Sequence, residues 1–424
     1  MPKASRAWLV AAGGVAALAA LARLHNAFRY APLYDFDAAG HALNVFALYE
    51  GRLPDPHSWA GFHPILFHAL GAALWGWLPE GLPVHVQLRL LSALAGLVAV
   101  ALVWRTLQRL AAPADAAVVT ALLFCAPVVA IASGMLGNET TCALFTTAVL
   151  ARLTALPGDP AAAPRHALVT AALGTLAALA KSTGVVAIGC AAVVYALRFR
   201  RTPRAALAAA AVAGLAPLLV LGPFYARLVV AQGGSPAGVV SGAALSPAAL
   251  AEMREHPPGE RQLADYFSLP LATFLAPVHW APGLDRSVLG LLYASTWADG
   301  HAQFLPGAVP AVRRAGAALA VAGLLPTGLA LLGCAALGRR RARDAAGPLL
   351  FLALLLAALA RYVWIFPHYS AVKASYLLPA MLPLALLVVA GLGALPDRAR
   401  PPLRALLLAI ALAATGFTWQ GWWE

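Results

Sequence analysis

The sequence predicts an all-α polytopic membrane protein, and three observations predict it. The 424 residues are 61% hydrophobic and only 11% charged, against about 45–50% and about 25% in soluble domains. The apolar residues gather into runs approaching the roughly 20 residues that carry a helix across a bilayer. The basic residues fall in short clusters between those runs, as cytoplasmic loops do. This composition excludes a soluble enzyme, a coiled coil and a disordered scaffold.

The first run, Ala7–Leu24, follows Lys3 and Arg6. It is long enough to span, so it is read as a helix and not as a cleaved signal. Val86–Trp104, Ala116–Gly134, Glu139–Leu150, Ala167–Ala180 and Gly184–Leu197 come next. Ala205–Val230, Ala315–Leu337, Gly347–Phe366, Tyr376–Leu395 and Leu403–Phe417 complete a set of about 11 transmembrane helices. Basic clusters stand at Lys3/Arg6, Arg105/Arg109, Arg152/Arg165, Arg198 to Arg204, Arg339 to Arg343 and Arg398 to Arg404. All six share the cytoplasmic side only if an even number of crossings separates each pair.

That parity decides two places. It keeps Phe62–Leu78, with His63, Pro64, His68, Trp75 and Trp77, out of the membrane as a juxtamembrane amphipathic helix in the first external loop. It also splits His166–Arg198 into two short helices broken at Lys181-Ser182-Thr183-Gly184. The N-terminus is then cytoplasmic. Residues 1–424 form a single membrane-embedded domain, capped by external segments 25–85 and 231–314. Of the 17 acids, 13 fall outside, although acids played no part in the assignment. The net charge of +13 therefore reports orientation, and no nucleic acid is expected as a partner. No period of 20–50 residues repeats. Cys125, Cys142, Cys190 and Cys334 have neither metal nor disulfide spacing.

The chemistry-bearing residues gather on the external side. Asp35 and Asp37, followed by Gly40-His41, come directly after the first span; the two acids suit a general base, a divalent cation site or solvated loop acids. Gly137-Asn138-Glu139 opens the fourth run, where Glu139 also suits a helix N-terminus. The sequon Asn138-Glu139-Thr140 lies too close to the bilayer to be read as a glycan acceptor. Lys181 is the only charge between Arg165 and Arg198, and its natural partner is a phosphate or an acid such as Glu139. Trp297, Asp299 and His301 join an apolar face to polar groups, as sugar pockets and interfacial loops both do. Nothing in the spacing of His279 and His301 requires a metal. Arg361 and Lys373 flank His368-Tyr369. They suit a lipid headgroup anchor or, with Lys181 and Arg89, a lipid-linked phosphate.

The order of these features is informative. Asp35 and Asp37 follow the first span, His63-Pro64 opens an external helix, and Arg89 opens the second span. Asn138-Glu139, Lys181 and Lys373-x-x-Tyr376-Leu377-Leu378-Pro379 come after. In this order the sequence resembles the GT-C superfamily of integral membrane glycosyltransferases, in the branch of protein mannosyltransferases and lipid A aminoarabinose transferases. Gly137-Asn138-Glu139 is also similar to the second-loop acid motif of oligosaccharyltransferase catalytic subunits. With no soluble domain after the last span, an oligosaccharyltransferase proper is not expected.

The resemblance implies a GT-C-like fold and an inverting hexosyl or pentosyl transfer. The donor is a polyprenyl-phosphate-linked sugar, and the acceptor is a glycan, lipid or protein. The reaction belongs to the cell envelope, on the extracytoplasmic face of a bacterial plasma (inner) membrane. Asp35 or Asp37 is the general base. Asn138 and Glu139 orient acceptor, donor or cation, and Lys181, Lys373 and Arg89 meet the donor phosphate. Trp297, Asp299 and His301 bind substrate. A divalent metal is the only cofactor the resemblance leaves room for. The alternative from another class is a transporter or flippase for a lipid-linked or small polar substrate; the absent repeat and the loop position of the acids disfavour it. The transfer reading expects Asp35, Asp37, Glu139 and Lys181 around one outward-facing cavity.

Overall fold

A computed structural model describes residues 3–32, 36–58, 60–77, 81–231, 259–340 and 343–423, and among these every regular element is helical. In chain order they are α1 (Lys3–Arg29), α2 (Ala38–Tyr49), α3 (Leu66–Trp77), α4 (Val84–Leu110), α5 (Pro113–Cys125) and α6 (Pro127–Gly134). Then come α7 (Glu139–Leu153), α8 (Ala163–Ala180), α9 (Val185–Arg198) and α10 (Pro203–Ala231). Three short helices follow, α11 (Leu263–Phe267), α12 (Ala272–Leu275) and α13 (Val288–Trp297). The chain closes with α14 (Pro310–Ala322), α15 (Leu324–Arg340), α16 (Arg343–Ile365), α17 (Met381–Ala394) and α18 (Arg400–Thr418).

Seven stretches of the described residues are long and apolar enough to cross a membrane, and eight if α5 and α6 count as one bent span. The remaining three expected spans fold as α7, α8 and α9, of 15, 18 and 14 residues. The run Ala116–Gly134, expected as one helix, is two. Pro127 has no N–H to continue the ladder, and α5 and α6 diverge by 54°. Arg23 of α1 steadies this break: its guanidinium donates to the Phe124 carbonyl and lies 3.7 Å from the Phe124 ring centroid.

The break between α8 and α9 falls where parity requires. Lys181 is extended, a 3-10 turn covers Ser182–Gly184, and α9 begins at Val185. Gly184 is needed there, because a Cβ would land on the backbone of Ala177 and Ala178. Elsewhere Gly333 of α15 and Gly391 of α17 let two helices cross backbone to backbone: a Cβ on either would meet a carbonyl of the other helix.

The apolar core runs through α1, α4, α5, α7, α9 and α17. At the end away from Arg198–Arg204, α2 and α3 pack on each other and on α4, while Trp77 stays 91% exposed. A second cluster joins α13 to α16 through Leu291, Leu359, Val363 and Val372. These two layers frame the junction that carries Lys181.

Candidate functional site

Asp37 occupies the N-cap position of α2, but its side chain makes no capping hydrogen bond. Its backbone carbonyl instead accepts from His41 N–H at 2.9 Å, one turn on. Asp37 and His41 thus lie on one helix face. On the same face Asn44 donates to the Ala60 carbonyl at 2.8 Å, which pins the loop carrying His63 against α2. The ring centroids of His41 and His63 are 4.9 Å apart, and His41 Nδ1 pairs with His68 Nε2 at 2.8 Å. Donor atoms of Asp37, His41 and His63 all lie within 4.8 Å of one another. Burial, then the His63 charge, pulls His41 down to about 3. Burial, then the Lys181 charge, does the same to His63, and His68 sits well below its ordinary value. All three rings are neutral around pH 7.

Four distant segments meet beside this face. Glu139 opens α7, Lys181 closes α8, and Lys181 Nζ donates to Glu139 Oε1 at 2.7 Å. The ammonium also lies 4.7 Å from the Tyr376 ring centroid. Lys373 Nζ is 3.7 Å from the Phe36 ring centroid and 5.9 Å from that of Tyr376. The charges of Glu139, Asp37 and Lys181 all act on His41. Asn138 is fully buried, and neither of its amide atoms nor Glu139 Oε2 has a hydrogen-bond partner among the described residues. Buried polar groups are almost always satisfied, so these three atoms call for an explanation.

Of the site residues expected from the sequence, Asp37, Asn138, Glu139, Lys181 and Lys373 belong to this constellation. Asp35 lies outside the described residues. Arg89 is close by, but its guanidinium goes to backbone: it donates to the carbonyls of Tyr30 at 2.6 Å, Pro32 at 3.3 Å and Ala31. It therefore anchors the strand of chain that leads into the Asp35/Asp37 motif. Asp299 Oδ2 accepts from Phe304 N–H at 2.6 Å and Leu305 N–H at 2.8 Å, stapling its own loop. Burial raises that carboxyl, opposed by these N–H groups. His301 Nε2 donates to the Val372 carbonyl at 2.9 Å and meets Phe36 edge-on at 5.3 Å. Trp297 is buried against Gly323. Of the three, His301 backs Phe36 and the backbone just before Lys373.

Sequence reasoning named His41, His63 and His68 without placing them in the site, and it missed Phe36 and Tyr376 as the aromatic faces under the two ammoniums. A signal existed for the first: Asp37 and His41 are four apart, a ligand-pair spacing on a helix. The arrangement can hold an anion between two ammoniums, take a proton on Asp37, or coordinate a cation through Asp37 and two imidazoles.

Among solved structures the chain is similar to the oligosaccharyltransferase of Archaeoglobus fulgidus, in a complex with Zn and sulfate. The two share 13% identity over 96% of this chain and 52% of that one, with a TM-score of 0.55. The chain spans about half the length of that oligosaccharyltransferase. ArnT from Cupriavidus metallidurans bound to undecaprenyl phosphate aligns at 21% identity over 91% of this chain and 78% of ArnT, with a TM-score of 0.42. Its apo state gives 20%, 92%, 78% and 0.44. No family model and no curated protein matches the sequence. The first likeness shows the architecture: the chain has a GT-C fold.

Proposed function

We propose that this chain is a membrane glycosyltransferase moving a sugar from a polyprenyl-phosphate donor to an acceptor on the extracytoplasmic side. The observation that carries the reading is the convergence of Asp37, Glu139, Lys181 and Lys373, from four separate segments, beside the unpartnered Asn138 amide. In this reading residues 1–424 work as one membrane domain, with 25–85 and 231–314 as its cap. The N-terminus is cytoplasmic, and the membrane is the bacterial inner membrane.

The acceptor hydroxyl attacks the anomeric carbon from the face opposite the phosphate. The bond from that carbon to the phosphate oxygen breaks with inversion, and the electron pair leaves on the polyprenyl phosphate. Asp37 or Asp35 takes the hydroxyl proton. Lys181 and Lys373 stabilise the charge gathering on the leaving phosphate, in surroundings with little competing water. Asn138 and the second oxygen of Glu139 hydrogen-bond acceptor or donor sugar, which supplies the partners they lack. Arg89 holds the backbone before the aspartates in register.

The test is transfer from a polyprenyl-phosphate sugar in proteoliposomes. Asp37→Asn and Asp35→Asn are made separately, and loss of the base is expected to cost about 10²–10⁴-fold in rate. Full activity in both variants overturns the base assignment. Full activity on a nucleotide sugar without lipid overturns the donor assignment.

A further inference from the structure

We propose that Asp37, His41 and His63 form a binding site for a divalent transition-metal ion of the zinc type. The first support is geometric. One donor atom from each residue lies within 4.8 Å of the other two. A tetrahedral ion with bonds near 2.1 Å needs its ligand atoms about 3.4 Å apart. The widest pair must close by at most about 1.4 Å, shared between two side chains. Asp37 and His41 are held on one turn of α2, and Asn44 ties the His63 loop to that helix.

The donor set chooses the metal class. Two imidazoles and one carboxylate suit zinc, cobalt or nickel, whereas calcium and magnesium prefer all-oxygen shells. Three protein ligands leave a fourth position for water or substrate, as in catalytic zinc sites.

A fourth residue completes the arrangement. His41 Nδ1 is taken by His68 Nε2 at 2.8 Å, which leaves His41 Nε2 as the atom for the ion. With Nε2 coordinated, the ring proton sits on Nδ1 and is donated to His68 Nε2. Metal-bound histidines are almost always oriented this way by a partner on the other nitrogen. His68 is thus a positioning residue. The nearby charges also balance: Asp37 and Glu139 against Lys181 and Lys373 sum to zero, so a bound divalent ion makes the site net positive. That suits a phosphate ligand.

This inference goes beyond the transfer reading and does not depend on it. The full-length protein, purified in detergent and stripped with a chelator, is titrated with Zn2+ and with Co2+. One ion per chain, tetrahedral Co2+ absorption bands and an ion-dependent rise in Tm are expected, without competition from Mg2+. His41→Ala and His63→Ala should each weaken Zn2+ binding about 100-fold, and His68→Phe about 10-fold, the scale of lost second-layer partners. Should the alanine variants fail to fold, His63→Gln removes one imidazole at similar volume, and the wild-type thermal shift stands alone. Folded wild-type protein that takes up no Zn2+ and shows no shift overturns the site. Unchanged binding in the His41→Ala/His63→Ala double variant does so as well. Neither result touches the transfer reading, which is measured separately; with an ion bound, Asp37 is a ligand and the hydroxyl proton falls to Asp35.

Discussion

Two buried ion pairs mark opposite ends of the molecule, and they are almost the same by geometry. Lys181 and Glu139 meet at 2.7 Å with side chains 12% and 8% exposed. Arg404 and Asp115 meet at 2.7 Å with side chains 14% and 3% exposed. Their surroundings differ. Arg404 joins α18 to α5 near the Trp8 ring, and among the described residues neither member of that pair is found with an unpartnered buried atom. Among the described residues, one Glu139 oxygen and the neighbouring Asn138 amide have no hydrogen-bond partner. Distance and burial therefore do not separate the two pairs. Unfinished hydrogen bonding around one of them does.

The sharpest way to break this comparison is to replace both members of each pair by apolar residues. A buried pair exchanged for well-packed apolar side chains is often neutral or stabilising. Asp115→Leu/Arg404→Met is expected to keep near-normal Tm and transfer rate. Glu139→Leu/Lys181→Met is expected to keep Tm but lose about 10³-fold in rate, since removing one preorganised donor to a developing charge costs about 10²–10³-fold. Equal rates in the two double variants remove the distinction.

Single changes come next. Asp115→Asn leaves Arg404 buried and uncompensated, so a loss of about 3–5 kcal/mol in stability is expected. Its kcat in the folded fraction should stay within about twofold, as measured by denaturant unfolding alongside turnover. A donor rate that collapses instead would falsify the structural role of that pair.

Acidification gives the third contrast. Burial holds His301 down from its ordinary 6.5 to about 3. Below pH 6.5 the unfolded chain takes a proton that the folded ring refuses until about pH 3. Stability is therefore full above about pH 6.5 and falls as the pH drops toward 3. Between pH 7 and 5 the loss is roughly 2 kcal/mol for this ring. His301→Gln keeps a donor for the Val372 carbonyl and should flatten that part of the pH dependence of Tm; an unchanged slope counts against it.

The smallest effect is expected at Arg89. Arg89→Lys replaces a planar fork by a single ammonium, so the three carbonyls of residues 30–32 are no longer held together. About a tenfold fall in kcat with an unchanged donor KM is expected. A raised donor KM at constant kcat would mean that Arg89 binds the donor directly.

Much of this was legible beforehand, for physical reasons. Parity of the basic clusters located the break at Lys181–Gly184, and a lone charge in an apolar run pointed Lys181 at Glu139. Pro127 was visible, but the apolar run read straight through it, because hydropathy does not register a missing N–H. The hydrogen bonds of Asp299 to the N–H groups of Phe304 and Leu305 carry no sequence signature. The convergence of His41, His63 and His68 depends on how a loop folds back on α2, and no period encodes that.

The short hairpin of α8 and α9 has one more consequence. Its arms of 18 and 14 residues extend about 27 and about 21 Å, less than the hydrocarbon core of about 30 Å. With Arg165 and Arg198 at one interface, the Lys181 tip is sunk below the other. A thicker bilayer buries it deeper, and a thinner one brings it toward water, at a cost of a fraction of a kcal/mol per Å. If the chain is the proposed transferase, the host lipid's acyl chain length is expected to act on its reaction. Turnover should peak in lipids that match the hairpin and decline as the chains lengthen.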